Sequence, residues 1–266
     1  LYESYYQNYQ GNWTSGHTQY GLNVFLQHLY EEGNDPRVEM CFIPGLYSGD
    51  YSHGLQLGRN DAPEDHYAGV AGEACLIGEG IAGGETDDSY VMSEPEIKFL
   101  MSEALARGYS VPGETGTAQD LWEEGIEASF YHYGQRAGWS GGDISDTLDY
   151  YLDRVSTSDM LGWNAGEPIK SIMYQKYLAS LGLYHYTAWT DFRRTGYPEP
   201  YNKNDVDYSM VSYYYITVRD QIPVRMLYVQ DELNLNPANV NSAIDKTGFP
   251  YNDVFIMDAR IFWDVN

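Results

Sequence analysis

Apolar residues recur at helical spacing in six stretches of this chain, and the pattern between them lapses into glycine, aspartate and tyrosine. In GLNVFLQHLYEEG, Leu22, Phe25, Leu26 and Leu29 fall at i, i+3, i+4 and i+7 and predict one helix. Gly33 stops it, and Asp35-Pro36-Arg37 then turns the chain. In SEPEIKFLMSEALARGY, Ser93 is placed to cap a helix and Glu96 to complete a capping box. Ile97, Leu100, Met101, Ala104 and Leu105 form its expected buried face, and Gly108 ends the run. TAQDLWEEGIEASFYHYG follows, with Thr117 as cap, Asp120 near the positive helix end and Gly134 as terminator. Its stripe is Ala118, Trp122, Ile126, Ser129, Phe130 and Tyr133. Further helices are predicted at DTLDYYLDRV (Leu148, Leu152, Val155), at EPIKSIMYQKYLASLG (Ile169, Ile172, Met173, Tyr177, Leu181) and at TAWTDFRRTG.

Small residues at Ala104, Gly125 and Ala128 suit close crossing of two antiparallel helices, a hairpin of the tetratricopeptide type that occurs once here. Between Ile43 and Gly72 the chain is rich in Gly, Asp, Tyr and His and predicts a long ordered loop, and loops of that length commonly carry function. Beyond residue 200 the text reads as turns and short extended pieces. The expected fold is mainly α, a tetratricopeptide-like hairpin scaffold with long irregular loops. Residues 1–92 form a loop-rich ligand-binding part with one helix, and residues 93–266 form the helical scaffold, the two making one continuous unit.

Composition narrows the partners. The 266 residues carry 39 acidic against 15 basic side chains, a net charge of −24. Nucleic acid and anionic membrane surfaces need clustered Lys and Arg, so both are disfavoured. No apolar run is long enough for a membrane-spanning helix. The chain opens on LYESYYQNYQGNW, without initiator Met or signal-peptide features, and reads as starting in mid-protein. Cys41 and Cys75 have no metal or redox spacing, and one disulfide or two buried thiols both remain open.

Catalytic signals are sparse. The chain has no GxSxG elbow and no HExxH, and its six histidines are scattered. Paired carboxylates that could hydrolyse a glycosidic bond arise by chance among so many acids. NKNDVDYS (202–209) alternates oxygen ligands as calcium loops do, but lacks the turn glycine and the distal glutamate, so a solvated loop is expected and no metal or cofactor. Aromatics on loops are the better signal. Trp13, Tyr20, Tyr47, Tyr51 and Tyr67, with His53, sit among Gly, Asn and Asp rather than on helix stripes. Flat rings beside polar side chains suit sugar faces and hydroxyls, so these six are the candidate ligand-binding residues.

AWTDFRRTGYPEP places Arg193 and Arg194 at a helix C-terminus, where cations complement the dipole and Gly196 with Pro198 turns the chain out. Guanidinium forks there suit carboxylates and carbonyls, an anchoring role. That segment, together with IPVRMLYVQDELNLNPANVNSAI, EIKFLMSEALARGY, EEGIEASFYHYG, IKSIMYQKYLA, the early Asp35-Pro36-Arg37 and the final FWD, resembles the C-terminal half of the SusD/RagB family in family order. The resemblance implies a structural motif at Asp35, Arg37, Arg193, Arg194, Gly196, Tyr197 and Pro198. It implies an outer-membrane lipoprotein of Bacteroidetes, facing outward and lipid-anchored through an N-terminal segment outside this chain. Such a protein binds nutrient without catalysis, most often a glycan, and delivers it to a SusC-like TonB-dependent transporter. A peptide-binding lid of the RagB type is the alternative, and a surface glycoside hydrolase a more distant one.

Overall fold

The computed structural model describes residues 21–45, 48–55, 75–84, 87, 90–182, 185–199, 210, 222–248 and 260. Nine helices lie among the described residues: α1 (Val24–Gly33), α2 (Arg37–Cys41), α3 (Glu94–Ala106), α4 (Ala118–Arg136), α5 (Ile144–Val155), α6 (Pro168–Ala179), α7 (His185–Thr195), α8 (Gln230–Leu235) and α9 (Pro237–Asp245). A short antiparallel pair, β1 (Phe42–Ile43) and β2 (Leu76–Ile77), sets Phe42 against Ile77 and Ile43 against Leu76. The fold is mainly helical.

Capping residues start the helices where the sequence places them. The Asn23 side chain accepts from the Leu26 amide at 2.8 Å and opens α1. Ser93 accepts from the Glu96 amide in front of α3. Thr117 and Asp120 form a reciprocal capping box on α4, at 3.1 and 2.7 Å. Gly134 does not terminate that helix. It lies inside α4 against Ile144, where a Cβ would come within 2.8 Å, and the helix runs on to Arg136.

Helices α3 and α4 run antiparallel, because Ser102 donates to the Ala118 carbonyl at 2.6 Å while Lys98 pairs with Glu124. Gly125 makes the crossing close: a Cβ there would meet the Phe99 ring at 2.9 Å. The buried face of α3 differs from the apolar spacing. Phe99, Ser102 and Glu103 are buried, whereas Ile97 and Leu100 are 39% and 40% exposed. Glu103 is turned inward by two arginines that bind it, and those ion pairs outweigh the periodicity of the outer leucine and isoleucine. Helix α6 shows no single stripe because it is surrounded; Ser171 through Lys176, Leu178 and Ala179 are all buried. Residues 230–245, read from sequence as turns and extended pieces, contain α8 and α9, which pack through Val240 and Ile244 on Tyr228 and Leu233.

One core joins both halves of the described chain, from Leu22, Phe25, Leu26 and Leu29 of the first helical segment to Ile172, Met173 and Leu178 of α6. At its centre lies an ion pair. Asn34 takes a left-handed conformation (φ 45°) after α1 and brings Asp35 back, where its carboxylate accepts from the Arg37 amide at 2.9 Å. The chain there turns into a helix, α2, rather than simply reversing. The Arg37 guanidinium meets Asp35 at 2.6 Å with both side chains fully buried. It also donates to Ser129 of α4, Tyr151 of α5 and Gln175 of α6, each at 3.1 Å, and stacks on the Phe130 and Tyr151 rings. Burial opposes the charge on Arg37, yet Asp35 and Tyr151 more than offset it and raise its pKa above the ordinary value.

Beside this core, His132 on α4 packs edge-on against Tyr90 and Tyr133. Burial, with Arg136 nearby, holds its pKa down from 6.5 to about 4. Its buried Nε2 has no hydrogen-bond partner among the described residues.

Two outcomes follow for stability. Arg37→Ala leaves Asp35 charged and buried, so chemical denaturation should show a loss of about 3–5 kcal/mol. An unfolded chain takes a proton on His132 as pH falls through 6.5, while the folded chain stays neutral to about 4. Wild-type melting temperature should therefore drop across that window more steeply than that of His132→Phe, and parallel profiles would refute it.

Candidate functional site

The sequence-predicted ligand residues divide sharply. Tyr51 and His53 lie on the described loop 48–55; Trp13, Tyr20, Tyr47 and Tyr67 fall outside the described residues, as does the polar stretch 202–209. Among the described residues, no group of His, Cys, Asp or Glu is arranged to hold a metal ion.

Loop 48–55 is fastened to the body at several points. The Leu55 amide donates to the Leu22 carbonyl at 2.5 Å, the Val24 amide to the Leu55 carbonyl at 3.1 Å and the Cys75 amide to the His53 carbonyl at 3.1 Å. At the other end the Gly45 amide donates to the Asp50 carbonyl at 2.9 Å. Gly54 must be glycine, because a Cβ would sit 2.7 Å from the backbone of Asn23 and Val24. The side chain of Gln27, on α1, reaches the Ser52 carbonyl and the Gly54 amide.

Tyr51 is half-buried and packs on the hydrophobic core, and burial, with Glu39 nearby, raises its phenol pKa. It therefore offers an edge or one face of its ring, not a free platform. The Asp50 carboxylate accepts from the Ser52 amide at 3.1 Å and from the Ser52 hydroxyl at 2.6 Å, and these bonds lower its pKa. The Ser52 hydroxyl lies 3.0 Å from His53 Nδ1. Because that hydroxyl donates to Asp50, it can only accept from the imidazole, so neutral His53 carries its proton on Nδ1 and keeps Nε2 as an acceptor. The trio Asp50, Ser52 and His53 is not arranged as a nucleophile with its base, since the nitrogen facing the hydroxyl is a donor and the carboxylate holds the serine. The arrangement can bind and orient hydroxyl or amide groups.

The residues of the arginine segment form a second cluster. Arg194 joins Glu103 of α3, donates to Asp191 at 2.7 Å, and shares Glu103 with Arg107. Lys176 of α6 meets Asp191 at 2.8 Å. Glu103 lies among these cations; burial works against its charge, but the hydrogen bonds from Arg194 and Arg107 prevail and lower its pKa. Arg193 stacks on Trp189, 4.2 Å from the ring centre. Gly196 (φ 81°) turns the chain out and the Tyr197–Pro198 bond is cis. A crevice beside this cluster, lined by Glu96, Phe99, Lys176, Ala179, Ser180 and Thr187, has room for about one water molecule. It is too small for a sugar.

The chain matches, over residues 12–264, the family profile described as SusD-like, "Susd and RagB outer membrane lipoprotein". It belongs to the SusD-like family. Solved structures share its fold. A SusD homologue of Bacteroides fragilis is 24% identical with a TM-score of 0.61, over 90% of this chain and 50% of that one. A second homologue from the same species is 19% identical with a TM-score of 0.63, over 95% and 54%. One from Bacteroides ovatus is 22% identical with a TM-score of 0.51, over 85% and 47%. The SusD-like chain thus spans about half the length of these structures, and such identities show the fold alone. No curated protein matches it in sequence. The family is described as one of outer-membrane lipoproteins, and no helix among the described residues is long and apolar enough to cross a membrane.

Sequence reasoning missed Gln27, whose polar side chain is 8% exposed on the apolar helix α1. The signal was available, since a glutamine inside an otherwise apolar run needs buried partners. Glu103 and Asp191, the carboxylates that receive Arg194, were also missed: Glu103 lies 91 residues away and gave no local cue, whereas Asp191 sits three residues before Arg194 on the same helix, a spacing that was legible.

One of the two cysteines also sits at this site. Cys75 Sγ lies 3.6 Å from the Asp50 carbonyl, beneath the loop. The β1–β2 register sets Cys41 against Gly78 and Cys75 against Pro44, with the Gly78 amide bonded to the Cys41 carbonyl at 2.8 Å. Three residues along a ladder separate the Cα atoms by roughly 10 Å, beyond the reach of a disulfide. Both are buried free thiols, and burial raises the pKa of each. Alkylation after denaturation without reductant should label Cys41 and Cys75 alike, as read by peptide mass; an unlabelled pair would reveal a bridge.

Proposed function

We propose that this SusD-like chain captures an extracellular glycan without chemistry and hands it to a SusC-like TonB-dependent transporter, held by a lipid anchor at the outer face of the outer membrane. Family membership over residues 12–264 carries the reading. Loop 48–55 supports it locally. A ring on the core and a histidine whose Nδ1 faces Ser52 stand two residues apart on backbone fixed at both ends. Trp13, Tyr20, Tyr47 and Tyr67 would extend that surface with further rings.

The net charge of −24 favours neutral or cationic ligands over acidic glycans. The same charge suits a cationic peptide, which gives the peptide-binding reading its one specific support. Saturable binding of the full-length protein to one class on a glycan array, without newly released sugar, is the expected result. Binding to basic peptides alone would replace the glycan, and sugar release would restore a hydrolase.

Within that assay, His53→Ala and Tyr51→Ala should each weaken binding roughly fivefold, equivalent to about 1 kcal/mol for one hydrogen bond or one ring contact. Trp13→Ala tests the extended surface in the same way. Unchanged affinity in both loop variants, at unchanged melting temperature, would remove loop 48–55 from the binding site.

A further inference from the structure

We infer that Gln27 is a positioning residue: its side-chain amide is a latch that sets the loop carrying Tyr51 and His53, an inference that rests on the reading of loop 48–55 as a ligand surface. The amide bridges the two peptide groups that flank His53. Its Nε2 donates to the Ser52 carbonyl at 2.5 Å, and its Oε1 accepts from the Gly54 amide at 2.6 Å. The second Nε2 proton goes to Glu31 Oε1 at 2.7 Å, one turn along α1. Only this orientation of the amide works, because the flipped group would face a carbonyl and a carboxylate with its oxygen and a backbone N–H with its NH2.

Both protons and one lone pair are therefore used, and the helix carrying them is fixed in the core by Phe25, Leu26 and Leu29. A rigid helix face thus dictates the backbone on either side of His53. The neighbouring main-chain bonds fix the loop at Leu55, at Asp50 and at the His53 carbonyl, which accepts from the Cys75 amide at 3.1 Å. Between them the Ser52 carbonyl and the Gly54 amide have the Gln27 amide as their partner. Removing it loosens the peptide groups on either side of the imidazole and leaves the Cys75 amide as the remaining main-chain hold at His53.

The test uses the full-length protein with Gln27→Met, which keeps most of the volume and abolishes both bonds, and Gln27→Glu, which keeps the shape. In Q27E at pH 7.5 the carboxylate faces the Ser52 carbonyl and Glu31 and repels both. Protonation restores a donor, and the adjacent Glu31 carboxylate favours that protonation. Amide hydrogen exchange at Gly54 is read as the ratio of variant to wild type at each pH. The expected ratio at pH 7.5 is at least about tenfold for Gln27→Met, which offers the Gly54 amide no acceptor, and smaller for Q27E, whose carboxylate still accepts from that amide, falling further toward unity at pH 4.5. Glycan-array signal at pH 7.5 should fall in parallel, with melting temperature changed by only a few degrees. A ratio near unity for Gln27→Met at pH 7.5, or a Q27E ratio as large as that of Gln27→Met, overturns the latch. Fast exchange with an unchanged array signal overturns the positioning role and removes this loop from the glycan site. If the wild type binds no glycan, the sugar reading fails, and the exchange ratio still decides the latch.

Discussion

The buried pair of Asp35 and Arg37 is the constraint on which the described structure turns. A guanidinium fully removed from water is tolerable only when its charge and its N–H groups are matched. Here the carboxylate two residues away supplies the charge, and Ser129, Tyr151 and Gln175 supply acceptors from three different helices. Those helices can approach only in the arrangement that brings the three acceptors to one point. The pair thereby specifies the packing of α4, α5 and α6 as well as stabilising it. It also fixes the end of α1, because the same turn that delivers Asp35 closes that helix through the left-handed Asn34.

Fixing α1 has a consequence at the surface. The residues that lead into it, Leu22 and Asn23, and its first residue Val24 carry the strand-like contacts on which loop 48–55 is hung, and the helix itself carries Gln27. Order passes from a charged centre through one helix to the loop that bears Tyr51 and His53. Preorganisation of this kind lowers the entropy lost when a ligand is gripped.

Much of this was legible in the sequence. Caps at Ser93 and Thr117, the glycine at the α3–α4 crossing and the inward stripe of α4 follow from local chemistry, and local chemistry is what a sequence displays. The inward face of α3 was not legible, because Glu103 is buried by arginines up to 91 residues away. Helix α6 was harder still: a helix covered on all sides has polar residues inside, and Gln175 and Lys176 broke the expected stripe. At the candidate site the aromatic residue was visible as a loop tyrosine, whereas its packing on the core was not. The turn that sets the tautomer of His53 needed coordinates, since the run Asp50-Tyr51-Ser52-His53 is compatible with many geometries.

The distribution of the cations connects the interior to the ligand. Arg37, Lys98, Arg107, Arg136, Lys176 and Arg194 are all engaged with carboxylates, and Arg193 and Arg225 lie over aromatic rings. A chain with 39 acids and 15 bases commits much of its positive charge to holding helices together. The paired cations have little charge left to attract anions, and the surplus carboxylates set the field that an approaching molecule meets. A loop that offers one ring and one imidazole, within such a field, selects by stacking and hydrogen bonding rather than by anion capture. Arg194 of the Ala188–Pro200 segment acts on that selectivity indirectly: by neutralising Glu103 and Asp191 where they are buried, it lets an acidic chain keep a close-packed core.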